Sequence, residues 1–415
     1  MNSTPAAEGP LASLSQRGQR MATGGLATYL QAHFARCHDE GYVGLCIAEN
    51  HQVFELLRPK LETIPAVPAH VASYDDFAGK ESLRAAIAIL FEGHIFGRPV
   101  DPSHVQVLAG AGGVLDAVGH ALGDPGDGIL VPTPSYSGFW PDLQVRPGLR
   151  IVEVPTPAGD GFRLTPDLLE EARAQADAPI KALLLTNPDN PRGQVMATAD
   201  VQAVLEWAED KGLHVIADEI YALSTFGPDP FVSVGRLRED LGSHLHVVWA
   251  FSKDFGMSGL RCGVLISQNQ ALRDAIALQG VWSGVSGHTQ HVLAAMLADQ
   301  EWVQDYLDRM REGLASTAVE VTAALTRAGI AHLTPQAGFF VLCDLRGFLA
   351  VPTWQAEHDL WSRILETTGV NLTPGSACHI AEPGFFRLCF ANFAPDVVVD
   401  AISRVRGVLQ AGPAT

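Results

Sequence analysis

The chain has 415 residues, of which 47% are hydrophobic and 18% are charged; this is the composition of a globular protein with a large core and excludes a disordered, collagen-like or coiled-coil chain. Its formal net charge of −18 argues against a nucleic-acid partner, because binding to phosphate backbones needs clustered cations. No apolar run reaches the ~20 residues that span a bilayer, and the start of the chain lacks the basic-then-apolar order of a signal peptide, so we expect no membrane partner and a cytoplasmic location.

Helical and strand-like patterns alternate along the chain from about residue 81 onward. Residues 1–20 are rich in Ser, Gly, Ala and Pro, which predicts a flexible N-terminal arm. Helical periodicity covers residues 82–96, and a short strand at 105–108 leads into a glycine-rich turn that opens a helix to about residue 122. Continuous apolar runs, typical of strands buried on both faces, occupy residues 129–131, 181–185, 214–217 and 245–251.

This alternation of strands and helices predicts the fold class. A βαβ rhythm indicates an α/β fold with a mostly parallel sheet flanked by helices. After about residue 314, helices mix with short strands near residues 338–344 and 386–390, which is typical of a smaller α+β domain.

The cysteine and histidine patterns predict neither a disulfide framework nor a metal site. None of the six cysteines is spaced as CxxC, and four lie in apolar runs, so we expect buried, reduced thiols. The 15 histidines form no HExxH motif and have no cysteine pair beside them, which argues against a bound metal ion.

Polar side chains follow the buried runs at the points where the predicted strands end. In an open α/β sheet, ligands collect at the carboxyl ends of the strands, so we expect these side chains to lie together. The glycine-rich turn adds free backbone N–H groups at a helix N-terminus, which suits an anion. The residues gathered in this way are Ala111, Gly112, Tyr136, Asn190, Asp218, Tyr221, Ser252, Lys253 and Arg261.

An acid, an amide, a phenol, a lysine and an arginine beside an anion-binding turn match the needs of pyridoxal 5'-phosphate. Lys253 is the candidate for the amine that forms a Schiff base with the cofactor aldehyde and later moves the substrate α-proton. Asp218 is suited to pair with the pyridine nitrogen and keep it protonated. Asn190 and Tyr221 can hold the ring hydroxyl oxygen, and Tyr136 can stack on the ring face.

The cofactor phosphate is expected to bind Ser252, Arg261 and the backbone N–H groups of Ala111 and Gly112. Single residues of the set also have structural interpretations, since Asp218 alone fits a helix cap and Arg261 alone fits a surface charge. Their joint occurrence at successive strand ends favours the cofactor site.

Three motifs carry a resemblance to a known family. NPDNPRG at 187–193, ADEIY at 217–221 and SKDFGMSGLRCG at 252–263 resemble, in order and spacing, the signature of the fold-type I pyridoxal-phosphate enzymes in the class I/II aminotransferase family. Longer segments such as GLCIAENHQVFELL and NLTPGSACHIAEPGFFRLCFAN look most like those of the 1-aminocyclopropane-1-carboxylate synthases within that family. The resemblance covers about residues 40–410 and implies a homodimer whose active sites are shared across the interface.

The resemblance also implies a seven-stranded type of sheet in a large domain that binds pyridoxal phosphate. The expected division of the chain is a flexible arm at 1–20, the N-terminal part of the small domain at 21–60, the large domain at 61–313 and the C-terminal part of the small domain at 314–415.

Three substrate-binding positions follow from the same resemblance: Arg387, Glu49 and Phe77. Arg387, in FFRLCFAN, looks like the arginine that binds the substrate α-carboxylate, a task that suits a planar bidentate cation. Glu49, in AEN, resembles the acidic residue that lies near the sulfonium of S-adenosylmethionine; its structural alternative is a capping role at a helix start. With Lys253, Asp218 and Tyr221 as catalytic groups, these residues complete the expected site.

Three positions depart from the family pattern. Phe77-Ala78-Gly79 stands where Tyr-His-Gly is usual, Ala250 stands where a serine is usual, and Gly112 stands where a threonine is usual. The phenol missing at Phe77 would reach across the dimer toward the cofactor phosphate and the substrate, so its loss predicts slow ring closure.

The sequence therefore predicts a lyase or transferase that uses pyridoxal phosphate on S-adenosylmethionine or a related amino acid. It would remove the α-proton and then eliminate methylthioadenosine from Cγ. The product is a cyclopropane amino acid or, through a vinylglycine-type intermediate, the result of γ-replacement or annulation with a second small molecule in specialised metabolism. The alternatives are an amino-acid aminotransferase and a catalytically silent regulatory homologue.

Overall fold

Eleven strands and fifteen α-helices lie within residues 10–412, the part of the chain that this computed structural model describes. Residues 1–9 of the predicted arm lie outside the described residues, and the rest of the arm holds a short 3-10 helix at Pro10–Ser13 and most of α1, none of whose residues is buried. The helices are α1 Gln16–Thr23, α2 Thr28–Arg36, α3 Phe54–Glu62, α4 Glu81–Phe91, α5 Gly110–Leu122, α6 Phe139–Gln144, α7 Pro166–Gln175, α8 Thr198–Asp210, α9 Val234–Leu237, α10 Phe251–Asp254, α11 Gln270–Ser283, α12 Gly287–Leu297, α13 Gln300–Ala328, α14 Trp354–Thr368 and α15 Pro395–Gln410. The strands are β1 Val105–Leu108, β2 Gly128–Thr133, β3 Arg150–Pro155, β4 Ile180–Thr186, β5 His214–Asp218, β6 Leu245–Ala250, β7 Gly263–Ser267, β8 Ala331–His332, β9 Phe340–Asp344, β10 Thr373–Pro374 and β11 Phe385–Cys389.

The large sheet confirms the predicted α/β class. Its seven strands are ordered β1-β7-β6-β5-β4-β2-β3, and β7 alone is antiparallel to its neighbours. The apolar runs of the sequence form β2, β4, β5 and β6, and all six residues of β6 are buried. Burial on both faces explains why these runs carry no alternating polar residues.

The small sheet has four antiparallel strands in the order β10-β11-β9-β8, with α15 packed against α13 and α14. Residues 43–45 join this region from the other end of the chain, because Val43 pairs with Val370 and the Leu45 carbonyl accepts a 2.7 Å hydrogen bond from the Cys389 N–H. Helix α13 runs across the predicted boundary at 313/314, and the domain boundaries stay a prediction.

Two absences within residues 10–412 bear on the expected partners. No helix in that range is long and apolar enough to cross a membrane. No group of three or more His, Cys, Asp or Glu side chains in the same range is arranged to hold a metal ion.

Candidate active site

The strand directions bring the predicted residues to one edge of the large sheet. Since β1, β4, β5 and β6 run the same way, α5, Asn190, Asp218 and Lys253 all follow strands that end at that edge. Because β7 runs the opposite way, it begins at the same edge, and Arg261 lies just before it. The antiparallel direction of β7 therefore explains why Arg261, which precedes a strand, lies close to residues that follow or end the other strands.

A cavity of about 200 Å³ occupies this edge and is lined by all nine residues predicted to bind the cofactor. Leu115, Phe139, Asp142, Thr186, Ile220 and Ser258 complete its lining. The cavity confirms that the nine side chains or backbone groups lie together; the role of each one stays a prediction.

Lys253 lies in the short helix α10, directly after β6. Its Nζ donates a 2.6 Å hydrogen bond to the carbonyl oxygen of Ala48, which is 205 residues away in the chain. Burial lowers the pKa of Lys253 to about 8, because an ammonium group loses hydration energy in the interior. This shift raises the fraction of neutral amine near neutral pH far above that of an ordinary lysine, and a nucleophile and a proton acceptor both need the neutral form.

Asp218 ends β5 and is buried, with one carboxylate oxygen accepting a 3.2 Å hydrogen bond from the Ile220 N–H. Burial raises the pKa of Asp218 to about 7; nearby Asp142 acts in the same direction, and Lys253 opposes it. A protonated pyridine nitrogen placed beside this carboxyl would favour the ionised form, since opposite charges stabilise each other.

The residues predicted to bind the phosphate, Ala111, Gly112, Ser252 and Arg261, form one corner of the cavity. In this phosphate corner, the side chain of Arg261 packs closely against the backbone at the start of α5. Gly110, in the first turn of α5, has a φ of 85°, and a Cβ there would lie 2.5 Å from Nη2 of Arg261. The guanidinium therefore lies against the start of α5, whose first N–H groups have no partner within the helix. Arg261 itself has a left-handed φ of 50°, which is uncommon for a residue with a side chain. Ser252 is buried at the same corner.

Tyr136 and Tyr221 are placed differently around the cavity. Tyr136 is 42% exposed, and its ring packs edge-on against Phe139, which leaves a ring face available for stacking. Tyr221 is buried between Phe339 and Phe340, with ring centroids 5.5 and 5.3 Å away, and burial raises the pKa of its phenol well above the usual value. Tyr221 therefore stays a neutral hydroxyl that can donate a hydrogen bond.

Arg387 on β11 is buried and forms no ion pair with any acidic residue that the structure describes. Its guanidinium donates to Asn190 Oδ1 at 2.9 Å, to the Cys46 carbonyl at 2.7 Å and to Thr373 Oγ1 at 3.0 Å, while its Nε has no partner. A buried cation surrounded by neutral acceptors is costly, so it is suited to an anionic ligand. The contact with Asn190 links it directly to the cofactor cavity.

Glu49 lies beside this cavity, next to the residue whose carbonyl binds Lys253. Its carboxylate accepts hydrogen bonds from Ser258 Oγ, which lines the cavity, and from His51 Nε2 at 2.9 Å. Burial alone would raise the pKa of Glu49, but these hydrogen bonds hold the pKa below its usual value. A negative charge therefore lies within electrostatic range of Lys253, beside the cavity.

Phe77 is not brought to the cavity of its own chain. It is 44% exposed and lines a surface groove together with Tyr74, Val281 and Trp282. Any contact between residue 77 and a cofactor cavity would therefore have to reach the cavity of a second subunit.

Asp142 is an acidic residue on α6 that lines the cofactor cavity but is not among the site residues predicted from the sequence. The only sequence signal is an acid inside the otherwise apolar segment FWPDL, close behind Tyr136. The approach of Asp142 to the cavity depends on the packing of α6 against α5, which no local pattern predicts.

The donor set fits pyridoxal phosphate. An amine, a buried carboxyl, an amide, a phenol and an arginine at a helix start surround one cavity, as the aldehyde, ring nitrogen, ring hydroxyl and phosphate require. The two glycines that allow the arginine and the helix start to meet, Gly110 and Gly263, would clash if either carried a Cβ.

Comparison with known proteins agrees with this site. Residues 61–405 match the family described as aminotransferase class I and II. The chain is 34% identical over 385 residues to 1-aminocyclopropane-1-carboxylate synthase 6 of Arabidopsis thaliana, with 88% of this chain and 78% of that protein aligned. It is also 34% identical over 389 residues to 1-aminocyclopropane-1-carboxylate synthase of Malus domestica, with 88% and 82% aligned.

Among solved structures, a double mutant of Thermus thermophilus aspartate aminotransferase is similar, with a TM-score of 0.80 at 25% identity over 95% of this chain and 99% of that one. The fold, the sequence match and the residues that line the cavity all indicate the same family. The chain therefore belongs to the class I and II aminotransferase family, and it is a pyridoxal-phosphate-dependent enzyme of fold type I.

Proposed function

We propose that the protein acts on S-adenosylmethionine, removes its α-proton and eliminates methylthioadenosine from Cγ. The observation that carries this proposal is Glu49, whose charge is held beside the amine of Lys253. A carboxylate there favours a substrate with a positive sulfur, and an ordinary aminotransferase has no need of it. The names of the two plant relatives, which are 1-aminocyclopropane-1-carboxylate synthases, support the same substrate.

The position of each residue gives it a separate role in the proposed reaction. Arg387 binds the substrate α-carboxylate, and Glu49 holds the sulfonium end, so the substrate lies across Lys253. Lys253 Nζ takes the α-proton, which its lowered pKa of about 8 allows. Asp218 keeps a proton on the pyridine nitrogen. Pyridoxal phosphate, when bound, supplies the electron sink for the negative charge at the α-carbon.

We further propose that ring closure is slow and that the product forms by γ-replacement or annulation with a second small molecule. Phe77 supports this, because it offers no hydroxyl to orient the substrate. After methylthioadenosine leaves, the second small molecule would form its bond to Cγ of the vinylglycine-type species.

The surface supports a homodimer as part of the same proposal. Tyr74, Phe77, Val281 and Trp282 line one groove, and Leu278 lies one helical turn away on α11. Tyr74 is 98%, Leu278 67% and Trp282 61% exposed, and so large an apolar patch is typical of a protein interface. A second copy of the chain is the expected occupant. A cytoplasmic location stays a prediction.

The test is incubation with S-adenosylmethionine in heavy water, followed by mass spectrometry of all products. We expect release of methylthioadenosine and deuterium at Cα or Cβ of the amino acid. Conversion of an added α-keto acid to an amino acid, with a second added amino acid as the amino-group donor and S-adenosylmethionine intact, would instead identify an aminotransferase.

A variant that removes the charge of Glu49 distinguishes a lost contact to the sulfonium from a general loss of ligand binding. Glu49→Gln should weaken S-adenosylmethionine binding about tenfold, or ~1.4 kcal/mol, because a charge pair is lost. Binding of S-adenosylhomocysteine, whose sulfur is neutral, should change less than threefold by the same reasoning. Equal losses for both ligands would contradict the assigned role of Glu49.

A further inference from the structure

A carboxyl group lies at the edge of the corner that is expected to take the cofactor phosphate. Asp142 on α6 lines the same cavity as Gly112, Ser252 and Arg261. A Cβ on Gly112 would lie 3.0 and 3.1 Å from the two carboxylate oxygens of Asp142. Both oxygens therefore face the first turn of α5, where the anion is expected.

The absence of a side chain at Gly112 makes this approach possible. A Cβ 3.0 Å from an oxygen is a tight contact, so a side chain at position 112 would push the Asp142 carboxyl away by a few tenths of an ångström. Gly112 thus allows the Asp142 carboxyl its present close approach to the start of α5.

The groups around Asp142 have opposing effects on its charge. The pKa of Asp142 is raised to about 7, mainly by burial and also by the charge of Asp116 on α5, while Arg261 acts in the opposite direction. Asp116 is itself paired with Arg146 at 3.0 Å. Asp218 and Tyr136, from the other walls of the cavity, also lie within electrostatic range of Asp142. The carboxyl therefore changes charge near neutral pH.

We propose that Asp142 regulates the phosphate corner, and that its charge sets how tightly the corner holds the phosphate of pyridoxal phosphate. When neutral, the carboxyl can donate a hydrogen bond to a phosphate oxygen. When ionised, it repels the phosphate and competes for Arg261. The inference rests on the cofactor corner and not on the identity of the substrate.

The experiment compares two ligands on protein freed of cofactor, without any substrate. Dissociation constants of pyridoxal phosphate and of pyridoxal, which lacks the phosphate, are measured by fluorescence titration at about pH 6 and about pH 8.5, below and above the pKa of Asp142. The ratio of the two constants isolates the phosphate, because changes at Lys253 and Asp218 affect both ligands.

Asp142→Asn should improve this ratio about tenfold at the higher pH and less than threefold at the lower pH, since one like charge is removed. Pyridoxal binding should stay unchanged, which also shows that the variant folds. The control is Asp177→Asn, which removes the same charge from an exposed site before β4, at the opposite edge of the sheet.

Three results would overturn the proposal. These are an unchanged ratio in Asp142→Asn at the higher pH, a weaker hold on pyridoxal phosphate in that variant, and the same improvement in Asp177→Asn. None of them depends on whether S-adenosylmethionine is the substrate, so a failure here is distinguishable from a failure of the proposed function.

Discussion

Lys253 and Asp218 show how burial prepares two side chains for different tasks. Desolvation disfavours the charged form of each, so it lowers the lysine pKa to about 8 and raises the aspartate pKa to about 7. Both groups then titrate close to neutral pH. A protonated ring nitrogen held beside Asp218 would favour the ionised carboxylate, because opposite charges stabilise each other.

Reduction with borohydride should therefore fix the cofactor mass on the peptide that contains Lys253. The holoenzyme should absorb in the visible region and lose that band on reduction, and Lys253→Ala should lack it. Lys181→Ala, at a half-exposed lysine paired with Asp127, should keep the band. Peptide mass spectrometry locates the label, and a label on any other lysine would refute the assignment.

Arg387→Lys should weaken substrate binding by about 2–4 kcal/mol, because a bidentate contact to the α-carboxylate becomes a single point charge in a buried place. Cofactor content should barely change, since Arg387 contacts Asn190 but does not line the cavity itself.

The matched control for this prediction is Arg346→Lys. Arg346 is a half-exposed arginine paired with Asp344 and Glu382, and its replacement should leave KM unchanged. An unchanged KM in Arg387→Lys would show that Arg387 does not bind the carboxylate.

At the residue scale, side-chain type after each strand was readable from the sequence, but contacts across the chain were not. The 2.6 Å bond between Lys253 and Ala48 joins residues 205 apart, and the 2.9 Å bond between Arg387 and Asn190 joins residues 197 apart. Only the resemblance pointed to Glu49 and Arg387, and the acid within FWPDL was too weak a signal for Asp142, because its position depends on helix packing.

At the scale of elements, the sequence predicted five strands of the large sheet, β1, β2, β4, β5 and β6, and missed β3 at one edge and the buried β7. β4, β5 and β6 appear as unbroken apolar runs, whereas β3 carries the exposed or half-exposed Arg150 and Glu153 and has only one neighbouring strand. The helix predicted over 82–96 is α4 followed by a π-helical turn at Glu92–Phe96, a change of hydrogen bonding that periodicity does not show.

β6 also buries a polar residue, His246, which makes the fold sensitive to acid. His246 bonds to Ser267 Oγ at 2.8 Å and to His214 at 3.0 Å, and burial lowers its pKa to about 3. An unfolded histidine takes up a proton below about pH 6.5, whereas folded His246 stays neutral. Stability is therefore full above that pH and falls as the pH decreases, by at most about 2 kcal/mol at pH 5.

His246→Gln should reduce the loss of stability at acidic pH. Denaturant unfolding at fixed protein concentration should show a smaller drop in the free energy of unfolding between about pH 7.5 and pH 5 than in the wild type. His38→Gln, at an exposed histidine, should keep the wild-type slope. The same slope in all three proteins would contradict the role given to His246.

At the scale of the whole molecule, the groove formed by Tyr74, Phe77, Val281 and Trp282 separates Phe77 from the cavity of its own subunit. A hydroxyl added at this position can influence the reaction only if a second copy covers the groove. The product distribution of a Phe77 variant therefore reports on the assembly and on the chemistry at once.

Phe77→Tyr should shift the products of S-adenosylmethionine toward the cyclopropane amino acid, because a phenol would again orient the substrate for ring closure. Phe34→Tyr, which adds the same hydroxyl at an exposed site on α2, should not. Adding Trp282→Glu, which places a charge in the apolar groove, should dissociate the dimer and abolish the shift, and light scattering measures the mass. Fast, clean formation of 1-aminocyclopropane-1-carboxylate by the unaltered protein would contradict slow ring closure, because it would show that Phe77 suffices where the phenol is missing.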